Sequence, residues 1–173
     1  MSLHEFAPTR RSFVPDADNT RLLRDAFGRF ATGVTIVTAA SEQGPIAITA
    51  SSFSSVSLTP PLVLWSPDRN SRRFPHFEGA QHYAIHVLGA DQSDLCFQIS
   101  KDAYGLRELP LEINNEGVPI LRECLARFEC SRRAVYDGGD HAIVLGEVMR
   151  AEVKEDGDAL AFFKGQMGTI AVN

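Results

Sequence analysis

Apolar residues recur along this chain first at helical spacing and then at strand spacing. In "NTRLLRDAFGRFATG", Leu23, Ala26, Phe27 and Phe30 share one helical face, Asn19 or Thr20 is placed to cap the start, and Gly33 to end it. That pattern predicts an amphipathic helix. Beyond it β-branched residues take over: "VTIVTAA" (34–40), the turn "SEQGP" and the return "IAITASS" predict a hairpin. "LVLWS" and "HYAIHVLG" read as buried strands. "LARFECSRRAV" and "HAIVLGEVMRAEV" read as a second hairpin around the turn-forming "YDGGD", and "ALAFFKG" as the last strand. Short helices are expected over 72–79, interrupted by Pro75, and over 92–100. Closely spaced strands with few crossover helices predict a mainly β, antiparallel barrel or sandwich. Residues 1–19, polar and proline-containing, read as an N-terminal arm, and 20–173 as one domain.

Composition changes this picture little. The 173 residues, 44% hydrophobic and 23% charged, suit a single globular domain with a sizeable core. A net charge of −5 argues against a nucleic-acid surface. So do basic pairs (Arg10-Arg11, Arg72-Arg73, Arg132-Arg133) that lack an aromatic ladder. Arg10-Arg11 is followed by "SFVPDADNT", which supplies no apolar stretch for an export signal, and no window approaches the roughly 18 apolar residues of a membrane span. Cys96, Cys124 and Cys130, with no C-x-x-C, read as small core residues of a cytoplasmic protein. No G-x-G-x-x-G opens a helix after a strand, so a Rossmann site is not expected. His82 and His86 share a strand face but lack nearby carboxylates or thiolates. They read as core or interface residues rather than a metal pair, and His76, after Pro75, as a surface residue.

One stretch carries chemistry. Between Thr49 and Thr59, seven of eleven residues bear a hydroxyl: Thr49, Ser51, Ser52, Ser54, Ser55, Ser57 and Thr59. On composition two readings stand: a Ser-rich loop joining two strands, or a surface whose small hydroxyls let a flat or anionic ligand approach the backbone. Downstream, "SPDRNSRR" adds donors at Asn70 and Ser71 and charge at Arg72 or Arg73, before the expected helix.

Three blocks, "FGRFATGVTIVTA", "ITASSFSSVSLTPPLVLWS" and "GGDHAIVLGEV", stand in order between about Leu22 and Ile170. Together they resemble the signatures of the flavin reductase-like family, small NAD(P)H:flavin oxidoreductases that supply reduced flavin to two-component monooxygenases. The resemblance implies a Greek-key split β-barrel, FMN or FAD as flavin, NADH or NADPH as hydride donor, a homodimer and a monooxygenase partner. It implies flavin contacts from Thr49, Ala50, Ser51, Ser52, Ser55 and Ser57, phosphate contacts from Ser66, Asp68, Asn70, Ser71 and Arg72, and a further contact from Ser100. It also implies a catalytic, flavin-adjacent role for His141 of "GGDH", where nicotinamide stacks. Hydride transfer needs nicotinamide C4 about 3–3.5 Å from flavin N5, so the protein's work is mostly positioning. An imidazole there orients the carboxamide or donates to reduced flavin, with Asp140 orienting the imidazole or shaping the turn. Arg132 or Arg133 is a candidate for the NADPH 2′-phosphate.

The chain departs from the family pattern at Ala47-Ile48, where many members have Gly-Met, and at Ile99-Ser100, where many have Phe-Ala. It departs again at Met167 of "GQM", where an aromatic is common. These changes bear on whether flavin is held or exchanged. The alternatives are a flavoredoxin-like electron carrier and a barrel binding haem or a pyridoxal phosphate derivative. The G-D-H sequence favours the reductase, and no haem axial ligand stands out.

Overall fold

The computed structural model describes residues 10–171; residues 1–9 of the expected arm, and 172–173, lie outside them. Residues 10–19 form no helix or strand. Three helices follow: α1 (Thr20–Phe27), α2 (Phe74–Gly79) and α3 (Ser93–Lys101), the last entered through a 3-10 turn at Ala90–Gln92. The strands of the first half are β1 (Thr32–Gly33), β2 (Thr35–Ser41), β3 (Gly44–Ala50), β4 (Ser54–Leu58), β5 (Pro61–Trp65) and β6 (His82–Val87). Those of the second half are β7 (Leu111–Ile113), β8 (Pro119–Leu121), β9 (Ala126–Gly138), β10 (His141–Val153), β11 (Ala159–Phe163) and β12 (Gln166–Ile170). Among the described residues no helix is long and apolar enough to cross a membrane.

Seven strands form one antiparallel sheet in the order β3-β2-β6-β9-β10-β5-β4, beside the smaller sheets β1-β11-β12 and β7-β8. The β2–β3 hairpin turns at Gly44, whose φ of 108° favours glycine. Strand β2 shows no alternation because both its faces are buried. Val37 and Ala39 pack with Ile48, Val63, Trp65 and Tyr83. Ile36, with Val34 just before the strand, packs with Leu88 and with Cys96 and Ile99 of α3. Thr35 and Thr38 are buried there at no polar cost, since their hydroxyls donate to Ala50 O (2.8 Å) and Pro119 O (2.6 Å). Cys96 and Cys130 lie in the core as expected, and Cys124 is half-buried.

His86 is a core residue, not a ligand. Its Nε2 accepts the Leu121 N–H at 3.1 Å, so the proton sits on Nδ1, which donates to Ile36 O at 3.1 Å. Burial, outweighing the Ile36 bond, pushes its pKa down to about 4. The unfolded chain therefore takes up a proton near pH 6.5 that the folded chain refuses until about pH 4. This contribution is fully present above pH 6.5 and fades as pH falls towards 4, a loss of about 3 kcal/mol at most. In urea denaturation between pH 7.5 and 4.5, a His86→Gln variant should start less stable and fall less steeply than wild type. Parallel slopes would contradict this.

Four expectations are corrected. Helix α1 ends at Gly28, not Gly33, because the Gly28 N–H closes on Arg24 O at 2.9 Å and Gly28 O accepts the Lys164 N–H at 2.8 Å, tying the chain to the turn between β11 and β12. Gly33 instead pairs with Ala161 in β1–β11. The expected face of α1 is left largely open by the described residues, since Phe27 is 69% and Phe30 78% exposed. The "YDGGD" segment is mostly strand, with only Gly139 and Asp140 left as the turn. Half of the hydroxyl stretch is itself a strand, β4, at the sheet edge.

Candidate active site

The end of β3 and the segment after β5 face each other across a cavity of about 330 Å³. Ser52 joins the two sides: its Oγ accepts the Ser66 N–H at 2.9 Å and donates to Ser66 O at 3.3 Å. Thr49, Ala50, Ser51 and Ser52 line one side, Ser66, Asp68 and Ser71 the other, and His141 completes the lining. The volume falls in the range of small-molecule sites.

The 66–71 segment is a nest of turns. Asp68 Oδ1 accepts the Asn70 N–H (2.8 Å) and Asp68 O the Ser71 N–H (3.1 Å). Ser71 then leads into α2: its O accepts the Phe74 N–H (3.0 Å) and its Oγ the Arg73 N–H (3.2 Å). Asp68 is thus occupied in shaping the loop that presents Ser71.

His141 opens β10 immediately after the tight turn at Gly139, where φ is 75°. Its backbone is held on both sides, paired with Gly138 of β9 and bridged to Asp68. A Cβ at position 138 would crowd His141 O at 3.0 Å and Ile143 Cγ1 at 3.1 Å, so the close pairing there suits glycine. The imidazole Nδ1 lies 2.8 Å from Asp140 Oδ1. That hydrogen bond, then the imidazole's charge and more distantly Arg24, hold the Asp140 carboxyl below its ordinary range.

A second cavity of about 150 Å³ backs onto the first. Val34, Cys96, Phe162 and Met167 line it, and Thr49, Ala50 and Ser51 line both. Its lining is mostly apolar, so the pair of cavities offers hydroxyls on one side of the strand end and hydrocarbon on the other.

The cavity brings together Thr49, Ala50, Ser51, Ser52, Ser66, Asp68, Ser71 and His141 of the expected set. It does not include Ser55, Ser57, Asn70, Arg72 or Ser100. Ser55 and Ser57 sit on β4, where a bulge at Val56 interrupts the pairing with β5. Asn70 is exposed. Arg72 lines a neighbouring groove of about 270 Å³ with Arg73, His76 and Lys101. Ser100 is exposed on α3, its Oγ donating to Phe97 O (2.8 Å) and its O accepting from Arg73 (3.1 Å). Arg133 pairs with Glu147 at 2.7 Å and Arg132 bonds to Glu78 O, so both are engaged away from the cavity. Ile48, Trp65 and Pro67, not expected from the sequence, also line it. Trp65 and Ile48 stand at strand ends bordering the hydroxyl-rich and "SPDRNS" segments, which is the signal that could have found them.

Small hydroxyls, the Ser66–Ser71 loop and the His141 imidazole are a donor set suited to a flavin, whose ring is flat and whose phosphate needs donors. The comparisons with known proteins agree. The family model for the flavin reductase like domain matches residues 27–171. The chain is 52% identical over 164 residues to FMN reductase (NADH) SmoA of Agrobacterium fabrum, covering 95% of this chain and 94% of that protein. It is 35% identical over 153 residues to the flavin-dependent monooxygenase reductase subunit HsaB of Rhodococcus jostii, covering 87% and 78%. Among solved structures, Streptomyces globisporus C-1027 NADH:FAD oxidoreductase SgcE6, in complex with NAD and FAD fragments, superposes with a TM-score of 0.84 at 31% identity, covering 92% of this chain and 98% of that one. The mainly antiparallel architecture is the split β-barrel of these neighbours. The three signature blocks, the barrel and the matched family model lead to one conclusion: the chain belongs to the flavin reductase-like family.

Proposed function

We propose that the protein is an NAD(P)H:flavin oxidoreductase that reduces FMN or FAD and passes the reduced flavin to a partner monooxygenase. The observation that carries this reading is the hydroxyl-lined cavity with His141 at its rim. The flavin, when bound, supplies the redox chemistry. The short side chains of Thr49, Ala50, Ser51 and Ser52 let a ring lie close to the end of β3. Ser66 and Ser71 offer hydroxyls to the phosphate. His141 Nδ1 is taken up by Asp140, which leaves Nε2 as the atom able to accept from a nicotinamide carboxamide.

FMN and NADH are the favoured pair, because the 52%-identical relative carries those names. A monooxygenase partner is supported by the reductase subunit among the relatives. A homodimer is supported by apolar side chains left uncovered in one chain, with Leu58 of β4 94% exposed in addition to Phe27 and Phe30. Three unpaired cysteines suit the cytoplasm.

The test is to mix the purified protein with NADH and FMN and follow the nicotinamide absorbance, then repeat with FAD and with NADPH. Oxidation that depends on added flavin is expected. A yellow protein inert to both nucleotides would make it the electron carrier instead.

A further inference from the structure

Arg69 does not line the cavity, yet it touches the residue that does so at the rim. Its Nε donates to His141 O at 3.3 Å and its Nη2 to Asp137 Oδ1 at 3.2 Å. Its own backbone N–H donates to Asp140 O at 2.9 Å. On the other side the guanidinium rests 5.5 Å from the centre of the Phe74 ring, on the first turn of α2. Alongside, the Ala142 N–H donates to Pro67 O at 3.1 Å, and Asp68 bridges to His141. One side chain therefore spans both legs of the β9–β10 turn and the loop that presents Ser71.

The Arg69 side chain adds to the backbone pairing that already holds His141. Gly138 and Gly139 have no side chains to stiffen it, and residues 135–140 are all exposed. The Asp140–His141 contact lies wholly within the tip and moves with it. We propose that Arg69 is a positioning residue for hydride transfer: it fixes the rim imidazole of His141 at a set distance from the Ser66–Ser71 side of the cavity. This rests on the reading of the site given above and names a further residue for it.

Arg69 is 34% and Asp137 86% exposed, and an ion pair so open to water holds little of the fold's stability. Its consequence is geometric, and a displacement on the order of 1 Å at a reacting centre can cost about 10²-fold in rate. Arg69→Met should therefore lower the rate of the hydride step about tenfold. Its thermal unfolding and FMN affinity should stay close to wild type. Arg69→Lys, which keeps one donor for Asp137 but not the planar fork, should recover part of the loss.

The deciding measurement is a double-mutant cycle, by stopped-flow mixing of NADH with the FMN-loaded protein. In a His141→Ala background, Arg69→Met should change the rate less than about twofold, because the clamp then has nothing to position. An equal, additive loss in both backgrounds would overturn the proposal, as would a loss traced wholly to weaker FMN binding. If His141→Ala leaves the rate untouched, the role of His141 and this inference fall together, while flavin-dependent NADH oxidation by the wild type still stands.

Discussion

His141→Ala should lower flavin-dependent NADH oxidation about 100-fold and leave flavin affinity within about threefold of wild type. The expected loss corresponds to about 2.7 kcal/mol of transition-state stabilisation. The asymmetry follows from the geometry. Residues 49–52, with Ser66 and Ser71, line both sides of the cavity, whereas His141 is a single lining residue whose side chain is 42% exposed. Removing its ring should leave the proposed bed for a flavin in place while taking away the group proposed to align the nicotinamide. The backbone at 141 stays pinned by Gly138 and Asp68, so the variant should fold. Single-turnover rates measure the step and fluorescence quenching the affinity. Equal kcat/KM for variant and wild type would remove His141 from the mechanism.

The largest effect on stability is expected at Gly146, in the middle of β10. A Cβ added there would overlap the Tyr83 hydroxyl oxygen and would lie 3.0 Å from Tyr83 Cζ and 3.2 Å from Cys130 Cβ. Tyr83 is 1% exposed and Cys130 fully buried, so neither can swing aside into solvent. The Tyr83 ring also packs on Trp65 at 5.9 Å, which transmits any shift to the floor of the cavity. Gly146→Ala should cost about 3 kcal/mol or more, at the upper end for overpacking, read from urea denaturation midpoints. Tyr83→Phe removes the overlapping oxygen. The buried hydroxyl has no well-formed hydrogen bond among the described residues, so this change alone should cost little. The double variant should regain much of the loss. If Gly146→Ala is as stable as wild type, the contact between β6 and β10 is looser than this packing requires.

What was legible in the sequence follows from what a residue pattern reports. Periodicity reports burial, so the β2–β3 hairpin, buried through its centre, stands out, and β10 stands out through the alternation of buried Ala142, Val144 and Gly146 with half-buried neighbours. Strand β4 did not: its residues are exposed or half-buried and its pairing is broken at Val56, so it shows serines where a strand is expected to show a buried face. Strand β12 was missed for the same reason. At the site, Thr49 to Ser52 of "ITASS" and His141 of "GGDH" line one cavity, because each sits at or beside the end of a strand whose register is set elsewhere. Arg72 was not legible. Its neighbour Ser71 lines the cavity while Arg72 lines the next groove, and the difference is decided by the turns anchored on Asp68. Arg69 lay in the same stretch with no periodic signal, and its partners are 68 and 72 residues away in sequence.

Thr49, Ala50 and Ser51 border two spaces, a chamber expected to be occupied and a greasy recess. Bulk added at Ala50 should intrude on one cavity or the other, so under the proposed function flavin retention and the seating of the β11–β12 hairpin against α3 should change together.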